Sequence, residues 1–192
     1  DLLRARGAHG ELAERLAARL RETPEDVAGW QELAVLREER LWDASGAAEA
    51  WRAVARLDPR HAGALAGLRR AAERTGDARA LDAVIEREIE LGGLDVASAW
   101  RRLGRLRRDV LRDLAAAERA FSAALNADAS DLVARRALRE LAEARGDWRC
   151  ALDHCEEEIA RMDASDVAAR HALWLHVAER AAGPARDLSR AA

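Results

Sequence analysis

The chain has 192 residues, 49% of them hydrophobic and 35% charged, with a formal net charge of -3. That length and apolar content suffice to bury a substantial core, and the near-neutral charge argues against a nucleic-acid or general polyanion binder. No apolar run approaches the ~18 residues of a membrane span, and the residues from Asp1 onward show no secretion-signal pattern, so a cytoplasmic protein without membrane insertion is expected.

In chain order, Asp1 to Arg6 reads as the tail of one helix and Gly10 to Pro24 as the next, ended by Thr23-Pro24. Trp30, Leu33, Ala34 and Leu41, then Ala47, Ala50, Trp51 and Val54, follow helical spacing twice before Asp58-Pro59. Leu65 and Leu68, then Leu81 and Ile85, form the next pair around Gly76-Asp77, where glycine can end a helix in the left-handed conformation. Trp100, Leu103 and Gly104 precede Ala117, Phe121 and Ala124. Leu138 and Arg139, then Ala151 and Cys155, flank Gly146-Asp147. Asp166 to Arg180 reads as a further first helix, broken at Gly183-Pro184 before a second begins. Ala, Leu, Arg and Glu dominate throughout, which are good helix formers, so the fold class expected is all-α.

These elements repeat. Leu33, Leu68, Leu103, Leu138 and Leu173 recur every 35 residues, and Trp30-x-x-Leu33-Ala34 returns seventy residues later as Trp100-x-x-Leu103-Gly104. Such a period marks helix-turn-helix units that bury their apolar faces only by stacking. The units expected are 26–60, 61–94, 95–130 and 131–165, with partial units at 1–25 and 166–192, in a single repeat domain over 1–192. Trp51 to Ile85 is 34 residues, Ile85 to Phe121 is 36, and Phe121 to Cys155 is 34 again, so odd and even units alternate. Odd units carry an extra residue inside the hairpin. Even units share Glu73 with Glu143, Glu86 with Glu156, Glu88 with Glu158 and Ile89 with Ile159, and place Arg69 and Arg139 where a small residue is expected.

Trp100, Leu103, Gly104, Ala117, Phe121 and Ala124, and less fully Trp30, Leu33, Ala34, Ala47, Trp51 and Pro59, resemble the signature of the tetratricopeptide repeat family. The resemblance implies an α-solenoid of antiparallel helix pairs in a right-handed superhelix, acting as a protein-interaction scaffold rather than an enzyme, without cofactor. Every basic residue is Arg and none is Lys, which we read as the codon usage of a GC-rich, bacterial genome. The first helix of each unit would line a concave groove at Gln31, Val35 and Glu38, then Ala66, Arg70 and Glu73, then Arg101, Arg105 and Arg108, then Arg136, Glu140 and Glu143. The family's carboxylate clamp for chaperones uses Lys and Asn; this chain has no Lys and one Asn, Asn126, so that function does not transfer.

Arg101, Arg105 and Arg108 share a helix face, with Arg70, Arg74 and Arg136 expected to flank them. One reading is a site for carboxylates of an acidic peptide or protein segment, which the arginine fork accepts bidentately. The other is a solvated face whose arginines pair with Glu86, Glu88, Glu90 and Asp109. Trp42 and Trp148 lie near the turns and Trp174 replaces the small residue of its unit; all three are candidate partner anchors, with capping of the neighbouring helix as the alternative. Cys150, His154 and Cys155 sit close in sequence, but both Cys fall at core positions and more ligands are needed, so no metal is expected. The alternatives to a scaffold are a regulatory or substrate-presenting arm of a larger enzyme, and a self-assembly module joined through uncapped ends.

Overall fold

An aspartate side chain opens helix after helix. The structure, a computed structural model, describes residues 2–92 and 95–191, with side chains from 7 to 92 and from 95 to 182. It divides into two compact units, Asp1–Gly93 and Leu94–Ala192. The first holds α1 (Leu2–Glu22), α2 (Val27–Val35), α3 (Ala44–Leu57), α4 (Ala62–Thr75) and α5 (Ala78–Glu90). The second holds α6 (Val96–Arg105), α7 (Leu114–Ala127), α8 (Leu132–Arg145), α9 (Trp148–Arg161) and α10 (Val167–Ala191). Asp26, Asp43, Asp77, Asp95, Asp113, Asp131 and Asp147 each accept a hydrogen bond from a backbone N–H two or three residues on, satisfying donors that a helix start leaves open. α4 is the exception: His61 Nδ1 accepts the Ala64 N–H at 3.1 Å.

The fold is all-α, and within each unit consecutive helices pack as antiparallel pairs. In the first, Leu16 and Leu20 of α1, Leu33 and Ala34 of α2, Ala47, Ala50, Trp51 and Val54 of α3, and Ala64 of α4 form one core. In the second, Phe121, Ala117 and Ala124 pack against Ala134, Ala137, Leu138 and Leu141, and a further cluster joins Ala142, Ala151, Cys155 and Val177. Most residues read as repeat signatures are buried, whereas Trp30 and Trp100 are half-buried against the cores and Pro59 is exposed. At Gly104 a Cβ would sit 2.7 Å from the buried Phe121 ring, so the α6–α7 approach requires glycine.

The alternation of units has a structural form. α4 and α8 end in left-handed glycines, Gly76 (φ 68°) and Gly146 (φ 74°), and the next amide, Asp77 or Asp147, bonds back five residues to Ala72 or Ala142 at 3.0 and 2.9 Å. α2 and α6 instead continue as π-helical turns, Leu36–Leu41 and Leu106–Val110, and the closing amides of Asp43 and Asp113 bond back six residues, each at 2.9 Å. The extra residue of the odd hairpins is absorbed as a π turn. It leaves Trp42 and Arg112, both at φ 57°, where the even hairpins have glycine.

The even hairpins carry a different device. Arg139 of α8, 6% exposed, donates to Glu158 of α9, 1% exposed, at 3.0 Å, and also bonds Glu143. Its counterpart Arg69 lies 3.7 Å from Glu88, and its buried Nε has no hydrogen-bond partner. The arginines that replace a small residue thus pair inside their own hairpins, tightly in α8–α9 and loosely in α4–α5.

Two expected breaks are absent. α1 runs unbroken from Leu2 to Glu22 through Gly7 and Gly10, so 1–6 and 10–24 are one helix; each glycine costs only about 1 kcal/mol among strong helix formers. α10 continues through Gly183 and Pro184 to Ala191, so no second helix begins there. An interior proline removes one hydrogen bond, and the alanine-rich flanks keep their helical propensity.

Candidate functional site

The first-helix face of the first unit is organised by Glu38, which the π turn carries over α3 and toward α4. Glu38 accepts the Trp51 indole N–H at 3.2 Å and a bidentate fork from Arg70, Nε at 2.5 Å and Nη2 at 2.9 Å. The Arg70 fork, and secondarily the indole, hold its carboxyl below the usual glutamate range against the opposing effect of burial. Arg74 reaches the Glu38 carbonyl at 3.4 Å and lies 5.3 Å over the Trp42 ring, which is 70% exposed.

Seventy residues on, the arrangement returns with charges exchanged. Arg108 stands where Glu38 does, Glu140 where Arg70 does and Phe121 where Trp51 does. Arg108 lies 5.7 Å over the Phe121 ring and pairs with Glu140 at 3.3 Å and Asp109 at 2.7 Å. The chemistry explains the exchange: an indole N–H calls for an acceptor, whereas a phenyl ring offers only its negative face to a cation. Hydrogen bonding to Asp109 raises the Arg108 pKa further above its ordinary value.

The remaining expected site residues are placed as follows. Arg101 lies 3.1 Å from the buried Asp131 carboxylate, the N-cap of α8. Arg136 pairs with Glu158 at 3.0 Å. Arg105 is exposed, and its charge contributes to lowering the Asp109 pKa. Arg70, Arg101, Arg108 and Arg136 thus all meet carboxylates of their own unit, and apart from Asp109 these are Glu38, Asp131, Glu140 and Glu158 rather than Glu86, Glu88 or Glu90. Trp148, first residue of α9, is half-buried with Arg180 6.0 Å from its ring. Trp174 is 46% exposed on α10, beside the exposed Leu175. Sequence reasoning missed the Glu38 hub, whose signal was the exchange of Glu38 for Arg108 and of Arg70 for Glu140 at the repeat distance.

Gln31 and Val35, both expected in the groove, line a depression of about 550 Å³ between α1 and α2. Leu12, Ala28 and Leu36 add apolar surface, and Glu32, Glu39 and Arg40 add charge of both signs. Cys155 is buried with its Sγ 3.9 Å from the Leu173 carbonyl, and burial raises the pKa of both Cys150 and Cys155, keeping the thiols protonated. Burial and the charge of Arg135 lower the His154 pKa. Among the described residues no group of three or more His, Cys, Asp or Glu could hold a metal ion, and no helix is long and apolar enough to cross a membrane.

No protein-family model and no curated protein matches the chain. Among solved structures it is similar to the crystal structure of MamA, at 18% identity over 82% of this chain and 91% of that one, with a TM-score of 0.49. A second MamA crystal structure gives 18% identity, 82% and 85% coverage and a TM-score of 0.49. The crystal structure of BtubC from P. vanneervenii gives 18% identity, 94% and 84% coverage and a TM-score of 0.47.

Proposed function

We propose that the chain is a protein-interaction scaffold that binds a peptide or protein segment on the first-helix face of its hairpins, with the α1–α2 groove as the principal seat. The observation that carries this reading is the groove itself: about 550 Å³ of open space, floored by Leu12, Ala28, Val35 and Leu36 and edged by Gln31, Glu32, Glu39 and Arg40. Helix-lined grooves of this kind take apolar anchors from a segment and leave its polar groups at the rim. Mixed charge at this rim favours a segment with apolar side chains and charges of both signs. Of the arginines expected to prefer an acidic segment, Arg101 and Arg108 are engaged within the chain, so reversing Arg101, Arg105 and Arg108 together would disturb folding as well as binding.

Ala28 and Gln31 are exposed, three residues apart on α2, and replaceable without breaking helix or core. Peptides selected from a displayed library against the full chain should therefore lose at least about tenfold in affinity, roughly 1.4 kcal/mol, against the Ala28→Arg, Gln31→Arg variant in calorimetric titration. Undiminished affinity, with helicity retained, would remove the groove from the account.

A further inference from the structure

The opposite face of α3 carries a second arrangement that the repeat does not require. Between α1, α2 and α3 lies a hollow of about 490 Å³ with Trp30, Leu33 and Ala53 among its apolar lining. Arg21, Arg37, Arg52 and Arg56 surround it, against one carboxylate, Glu49. Arg37 is held by the Gly46 carbonyl at 3.1 Å and by Glu49 at 3.8 Å. Arg21, Arg52 and Arg56 are exposed, and among the described residues no carboxylate lies within ion-pair distance of them. Arg52 and Arg56 are four residues apart on one helix, where like charges repel. What sets this patch apart is the gathering of three such exposed arginines about one hollow that holds a single carboxylate, Glu49.

Arg52 also lines an adjoining hollow of about 280 Å³ between α3, α4 and α5, whose walls include Ala48, Leu65, Leu68, Ala83 and Val84. The second unit carries charged pairs at the corresponding positions. Glu118 and Arg145, seventy residues after Ala48 and Thr75, form a bidentate pair with one bond at 2.9 Å, and Arg135, seventy after Leu65, pairs with Glu157. Arg52 and Arg56 are likewise replaced there by Ser122 and Asn126. The arginine lining at positions 52 and 56 is therefore a property of the first unit, and the two hollows meet at Arg52.

We infer that this face binds an acidic protein segment carrying one aliphatic anchor. The aliphatic side chain enters the α3–α4–α5 hollow, whose walls are mostly apolar and whose one carboxylate, Asp77, is engaged in capping α5; the flanking carboxylates meet Arg52, Arg56 and Arg21, whose forks pair with carboxylate oxygens bidentately. Charge complementarity selects this occupant: an uncharged apolar segment would leave three guanidinium groups uncompensated at its rim, and a basic one would be repelled.

The test is fluorescence anisotropy of the full chain with a labelled synthetic peptide holding one leucine between two pairs of glutamates, with two comparison probes. One probe replaces the leucine by glycine; the other is a single-stranded oligonucleotide of equal charge. The leucine peptide should bind, weaken with added salt, and bind more tightly than either comparison probe. Arg52→Glu with Arg56→Glu should lower its affinity by about tenfold or more, as two attractive pairs become repulsive, and Arg52→Gln with Arg56→Gln should lower it less. Ser122→Glu with Asn126→Glu, which places glutamates at the equivalent positions of the second unit, should leave it unaltered. The Ala28→Arg, Gln31→Arg variant should also bind this peptide normally, so the two surfaces fail or stand separately. No binding, equal binding of the glycine peptide or the oligonucleotide, or equal loss in the second-unit variant would overturn the inference.

Discussion

Removing the Glu158 carboxylate should damage the fold far more than removing that of Glu88, although the two occupy the same position of the repeat. Glu158 is 1% exposed and accepts both Arg139 and Arg136 at 3.0 Å. Glu158→Ala leaves Arg139 in the interior with only Glu143, while Arg136, largely solvent-exposed, turns to water. Breaking a buried pair from one side costs about 3 to 5 kcal/mol, and the bond to Glu143 that survives places this case near the lower figure. Glu88 and Arg69 are partly exposed and 3.7 Å apart, so Glu88→Ala should cost about 0 to 1 kcal/mol. Replacing both Arg139 and Glu158 by Met should recover most of the loss, because a well-packed apolar pair avoids the desolvation that the ion pair suffers. Urea unfolding followed by far-UV circular dichroism reads all three. Equal cost for the two alanine variants, or no recovery in the double Met variant, would refute the assignment of a buried ion pair to α8–α9.

The π turns make a separate demand. Arg112, at φ 57°, should gain about 1 kcal/mol of stability on replacement by Gly, and Trp42→Gly should gain less because it loses the Arg74 contact; unchanged thermal midpoints for Arg112→Gly would show that the backbone carries no strain there. The Glu38 carboxyl is held below its ordinary pKa by Arg70, so its contribution is fully present above the unfolded glutamate value and fades as pH falls through the lower folded one. Glu38→Gln should therefore flatten the loss of stability in that acidic window; parallel curves for the two proteins would contradict the pairing.

Local signals were readable in the residues. The period of 35, the buried signature positions and the glycines ending α4 and α8 follow from helical spacing and backbone freedom, which act over a few residues. The aspartates before α2, α3 and α5 to α9 were equally visible as capping signals and passed unread. Counting 34, 36 and 34 residues located the extra residue but not its form, since a π turn and a longer loop share one length. Partners of Arg70, Arg101 and Arg108 lie about 30 residues away on the neighbouring hairpin, beyond the reach of single-face reasoning. The expected breaks near Gly10 and at Gly183-Pro184 failed because flanking alanines, leucines and arginines outweigh isolated helix breakers.

The central claim is that a partner segment seats in the α1–α2 groove. Amide chemical-shift mapping of the isotope-labelled full chain, titrated with a library-selected peptide, tests it most directly. The account predicts that the largest shifts cluster at Leu12, Ala28, Gln31, Val35, Leu36 and Glu39. Largest shifts confined to α6–α9, with the α1–α2 groove unchanged, would contradict it.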